Sequence, residues 1–144
     1  MIRLACFLVC FVGFHAQAET VAQKKERTAA ETYVKDSFAK IKGCKVKGSY
    51  DWKAFDKIKF ENDEAKSKAL NDLQTQVDFV VGDLNTLCED KDYSSALSGS
   101  LVVRPIEKTE NLVVKKEGST IIVEDKPGYV RVQGSYEPVF REKL

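Results

Sequence analysis

The sequence predicts an α+β domain, with two amphipathic helices joined by a disulfide and packed on an antiparallel β-meander of three to four strands. Three observations carry this prediction. Apolar residues recur at helical spacing over 20–42 and 62–88. The pattern then changes to short β-branched runs separated by turn residues. Cys44 and Cys88 follow the two helical stretches, near their C-terminal ends. Helices in a row followed by strands in a row are the signature of segregated α+β architecture.

Residues 1–18 are read as a secretory leader. Arg3 precedes the apolar run LACFLVCFVGF, and Ala16-Gln17-Ala18 places small residues where a leader is cleaved. The run is too short to span a bilayer. The expected product is a secreted or periplasmic protein, cleaved near Ala18 and soluble thereafter. It spans 19–144 as one domain, with a helical part over about 20–97, a meander over about 100–133 and a tail over 134–144. Loss of Arg3 equalises the 23 basic and 22 acidic side chains of the full chain. That balance argues against nucleic acid or an anionic membrane as an overall partner.

The first helix, over 20–42, places Ala30, Tyr33, Val34, Phe38 and Ile41 on one face, and Gly43 is a natural stop. The second, over 62–88, carries a stripe from Ala65 through Leu73, Val80 and Leu87 to Cys88, with Asn62 suited to the N-cap. The connector over 45–61 is expected to travel back along this helix as a strap. LVVRPI, NLVVKK, TIIVE and YVRVQ read as strands, with Glu117-Gly118-Ser119 and Lys126-Pro127-Gly128 as turns. Pro105 suits an edge strand or a strand end.

Cys44 and Cys88 are an even pair in an oxidising compartment, so they are expected to be bonded to each other. In the chain-entropy picture such a closure contributes about 4 kcal/mol at most.

Chemistry is constrained by an absence. The only histidine, His15, lies in the leader. Without imidazole, Ser-His-Asp and Cys-His nucleophilic sites and histidine-ligated zinc are excluded from 19–144. No catalytic residue, metal site or cofactor is assigned.

The candidate binding residues are Tyr50, Asp51 and Trp52, in the segment SYDWKAFD that holds the only tryptophan. An aromatic with a polar handle suits a partner surface or a sugar ring. The competing reading turns Trp52, Phe55 and Ile58 inward at three-residue steps, with Asp51 as the cap. Charge is segregated as well. Residues 24–59 carry eleven basic and five acidic side chains, and residues 61–92 carry three and nine. This is read either as attraction between the helices or as a basic patch (Lys40, Lys42, Lys45, Lys47) for an anionic partner.

The function expected from these features is a non-enzymatic binding or interaction protein of unknown specificity, with another envelope or extracellular protein as the candidate partner. The alternative is a carboxylate-dependent enzyme acting on envelope glycans, with Asp51 or Asp56 beside Trp52 as a stacking platform.

Overall fold

A computed structural model describes residues 20–95, 97–107, 111–127 and 129–144. The expected leader and its expected cleavage site lie outside the described residues. The element order is α1 (Val21–Phe38), β1 (Lys45–Tyr50), α2 (Trp52–Phe55), α3 (Asp63–Glu89), α4 (Lys91–Ser94), β2 (Ser98–Pro105), β3 (Val113–Glu117), β4 (Thr120–Asp125) and α5 (Glu137–Lys143).

The fold is α+β, but the sheet is mixed rather than an antiparallel meander. Its strand order is β1-β2-β4-β3, with β1–β2 and β2–β4 parallel and only the β3–β4 hairpin antiparallel. Parallel neighbours need a long crossover, and α3 supplies it between β1 and β2. The expected hairpin is present, turning at Gly118 (φ 60°).

The strap expected over 45–61 is therefore half strand. Its sequence KVKGSY buries Val46 and Tyr50 at alternating positions, the period of a half-buried strand. Gly48 interrupts that signal for a packing reason. A Cβ there would lie 2.2 Å from Cδ1 of Phe38, so the end of α1 rests directly on the β1 backbone. The first helix correspondingly stops at Phe38 rather than at 42.

Alternation gives the sheet two unlike faces. Val46, Leu101, Val103, Ile121 and Val123 point into one core with Val34 and Phe38 of α1, Leu73, Val77 and Leu84 of α3, and Phe140 of α5. The other face presents Lys45, Lys47, Ser49, Ser98 and Ser100 to solvent.

α1 and α3 run parallel. Ser67 donates to Glu26 at 2.6 Å, Tyr33 and Ser37 both donate to Asp78, and Asn85 bonds the backbone of Lys40 and Lys42. Both N-termini thus lie where β1, β2 and β4 end. The disulfide closes the other end, joining Cys44 to Cys88 with Cα atoms 5.2 Å apart. Cys44 sits at the entrance to β1 rather than at a helix end.

Two further expectations fail at the C-terminus. Residues 129–133 form no strand, because the hairpin already occupies the free side of β4. They run as coil, with Tyr129, Val130 and Val132 exposed. Residues 134–144 are not a tail. They contain α5, and Tyr136 and Phe140 are fully buried.

Candidate functional site

The C-terminal ends of parallel strands and the N-termini of the helices that cover them are where open α/β sheets collect ligands. In this chain that end carries the segment singled out from sequence. β1 runs out at Tyr50. The Asp51 backbone N–H continues the ladder to the Val103 carbonyl at 2.9 Å. The Asp51 carboxylate accepts from the Ala54 N–H at 3.0 Å, which makes it the cap of α2. Its second oxygen accepts from Arg104 Nε at 3.2 Å.

α2 turns Trp52 and Phe55 over Tyr50. Ring centroids lie 4.6 Å apart for Tyr50–Trp52, 5.9 Å for Trp52–Phe55 and 5.3 Å for Phe55–Phe60. Phe55 is fully buried and Trp52 is half-buried. This combines both sequence readings, since the segment closes the core and also keeps an edge in solvent. It does so far from the disulfide, because β1 carries it about 20 Å from Cys44.

Arg27 of α1 completes the cluster. Its guanidinium lies 4.0 Å over the Trp52 ring. It donates to Asp56 at 2.8 Å and to Glu31 at 2.6 Å. One face of the tryptophan is therefore already stacked. Asp51 and Asp56 are held by different arginines rather than facing each other. The Tyr50 hydroxyl is buried and finds no hydrogen-bond partner among the described residues. Burial pushes it well above the ordinary tyrosine range, with the charges of Asp125 and Asp51 adding and that of Arg27 opposing.

Beside this cluster an open groove of about 990 Å³ runs between the first half of α1 and the chain leading into α3. Phe60 and Ile58 line it together with Arg27, Glu31, Asp56, Glu61, Asp63 and Lys66. Four acidic side chains face two basic ones, and Arg27 is already paired with two of the four.

A second polar cluster escaped sequence reasoning. Asp125, at the end of β4, is 1% exposed and accepts from Arg131 Nε and Nη2 at 2.8 and 2.7 Å. It also accepts from the Tyr136 hydroxyl and the Lys126 N–H, each at 2.8 Å. Asp83 of α3 accepts from the backbone N–H groups of Gly134, Tyr136 and Glu137 at 3.0, 2.8 and 3.2 Å. It thereby caps α5 from outside that helix. Burial, and then Asp125, push the Tyr136 hydroxyl above its ordinary range. Every donor and acceptor in this set is internal, so the cluster fastens the C-terminal segment. Only the sequence separation hid it.

Of the acidic run near 90, Asp90 caps α4 and pairs with Arg141 at 3.1 Å. The Asp92 N–H and Arg141 hold its carboxyl below the usual carboxylate range. Among the described residues, no group of three or more potential ligands is arranged for a metal ion. No helix there is long and apolar enough to cross a membrane. The chain matches no known family model, no curated protein and no solved structure.

Proposed function

We propose that this chain is a small, non-enzymatic binding protein of the secreted or periplasmic compartment, and that it holds another polypeptide at the groove beside Trp52. The observation that carries this reading is the groove itself. It is open, lies at the carboxyl end of the parallel strands, has Phe60 and Ile58 among its apolar lining residues and is walled by acidic side chains. Aromatic anchors within a polar surround are the composition of protein interfaces. Arg27, on the groove, is engaged with Asp56 and Glu31, and Arg104 near the end of β2 holds Asp51. The site is thus pre-organised, which lowers the ordering cost of association.

The test places a photo-crosslinking amino acid at Glu61, an exposed position on the groove, and a second at Gln133, on the exposed 129–133 segment. Irradiation in the native envelope followed by mass spectrometry is expected to give one adduct from position 61 that Trp52→Ala abolishes. Equal adducts from both positions, or none above the unirradiated control, would overturn the reading.

A further inference from the structure

We propose that the opposite end of the molecule docks on the phosphate groups of an anionic phospholipid surface, through Lys45, Lys47, Ser95 and Ser98. This rests on observations separate from the groove. Lys45 and Lys47 are two residues apart on edge strand β1, so both point to the solvent face about 7 Å from one another. The parallel register sets Ser98 beside Lys45 and Ser100 beside Lys47. Where the chain enters β1, a pocket of about 350 Å³ is lined by Gly43, Cys44, Lys45, Ser94, Ser95 and Ser98, with Leu97 behind. Lys40 and Lys42 stand exposed just before the disulfide.

The donors are uncommitted. Among the described residues, Lys42, Lys45 and Lys47 form no ion pair, and the Ser95 and Ser98 hydroxyls make no hydrogen bond. By contrast, Lys115 in the β3–β4 hairpin is bound to Glu124 at 2.7 Å.

The chemistry favours phosphate over carboxylate. An ammonium acts as a point charge with three donors, whereas bidentate carboxylate recognition belongs to the arginine fork. Hydroxyl and ammonium donors around a small pocket suit tetrahedral oxygens. The C-termini of α1 and α3 lie at the same end and oppose an anion with about half a charge each. Glu89 and Asp92 are exposed nearby, and Arg141 already engages Asp90. None of these acids lines the pocket. The row of four lysines outweighs the helix ends, and membrane surfaces reward such rows at about fivefold in affinity per lysine.

Sedimentation of the oxidised protein with vesicles tests this. Equimolar dioleoylphosphatidylglycerol and dioleoylphosphatidylcholine are expected to retain the protein at low salt, and pure dioleoylphosphatidylcholine to release it. Lys45→Gln with Lys47→Gln lowers retention by about 25-fold, from the per-lysine factor. Ser95→Ala with Ser98→Ala lowers it severalfold at unchanged charge. Lys24→Gln with Lys25→Gln, in the first turns of α1 at the far end, leaves it unchanged. The proposal is overturned if the charged vesicles retain nothing, or if the Lys24/Lys25 pair matters as much as Lys45/Lys47. Displacement by millimolar inorganic phosphate or glycerol 1-phosphate also overturns it, since the site would then serve soluble phosphate. So does preferential binding of polyglutamate, which would assign this end to an acidic protein.

Discussion

Two arginine–carboxylate–aromatic clusters in this molecule use the same chemistry to different ends. Arg27, with Asp56, Glu31 and Trp52, sits on the groove. Arg131, with Asp125, Tyr129 and Tyr136, sits at the end of β4. Both arginine side chains are 14% exposed, so the cations are equally sheltered. The carboxylates differ. Asp56 is 57% and Glu31 46% exposed, against 1% for Asp125. A carboxylate in water keeps its hydration and can exchange partners. A carboxylate out of water depends on every internal donor it has. The first arrangement leaves a surface able to meet a ligand, and the second is a fastening. Burial of the anion, rather than the residue types, separates the two roles.

That contrast can be broken or sharpened, starting where the effect is largest. Asp125→Ala leaves Arg131 and the Tyr136 hydroxyl without their buried acceptor. It is expected to cost about 3–5 kcal/mol in urea denaturation, the range for breaking a buried pair. A loss under about 1 kcal/mol, the exposed-pair range, would erase the distinction.

Alkali should act on both clusters. Burial raises the Tyr50 and Tyr136 hydroxyls above their ordinary value of 10.0. The unfolded chain therefore loses those protons first. Stability is complete below pH about 10 and declines as pH rises past it. Circular dichroism through that range should show a cooperative loss, and Tyr50→Phe with Tyr136→Phe should move it to higher pH. An unmoved transition would place its cause elsewhere.

Single hydroxyls give a finer test. Tyr136→Phe removes a donor from Asp125 and should cost about 1–2 kcal/mol. Arg27→Ala should cost about 1 kcal/mol or less, since its carboxylates are hydrated. It should also raise iodide quenching of Trp52 by uncovering the ring. Quenching that stays constant would mean that Arg27 does not shield the indole. Smallest is Tyr50→Phe, expected within about 0.5 kcal/mol of wild type or stabilising, because its hydroxyl has no partner among the described residues to lose. A cost like that of Tyr136→Phe would reveal a bonded partner for that hydroxyl.

Much of this was legible where one element carries its own signal. The apolar stripe of α3 and its Asn62 cap, the hairpin at Gly118 and the capping role of Asp51 all follow from local spacing, and the pairing of Cys44 with Cys88 from their being an even pair. What escaped depends on distant residues. β1 has only Val46 and Tyr50 as inward apolar markers, because Gly48 leaves its place to Phe38. With β1 unseen, nothing required a parallel pair, and an antiparallel meander was the simpler reading. YVRVQ has strand composition, yet Arg131 binds Asp125 rather than leaving the segment to a ladder. The ending SYEPVFREKL hides a helix because Asp83 caps it from α3. At the candidate site, Tyr50, Asp51 and Trp52 were visible as a cluster. Their guanidinium cover was not, since Arg27 is brought in by the packing of α1 against α3 and β1.

The Cys44–Cys88 bond has a mechanical consequence. α1 packs on α3 and β1, and β1 in turn pairs with β2 alone in the sheet. The bond ties the C-terminal end of α1, through Cys44, to the C-terminal end of α3. The N-terminal half of α1 is held by side-chain contacts, the Arg27–Asp56 pair and the Ser67–Glu26 hydrogen bond among them. The covalent link and the groove therefore lie at opposite ends of α1, one end fixed by a bond and the other by contacts between side chains.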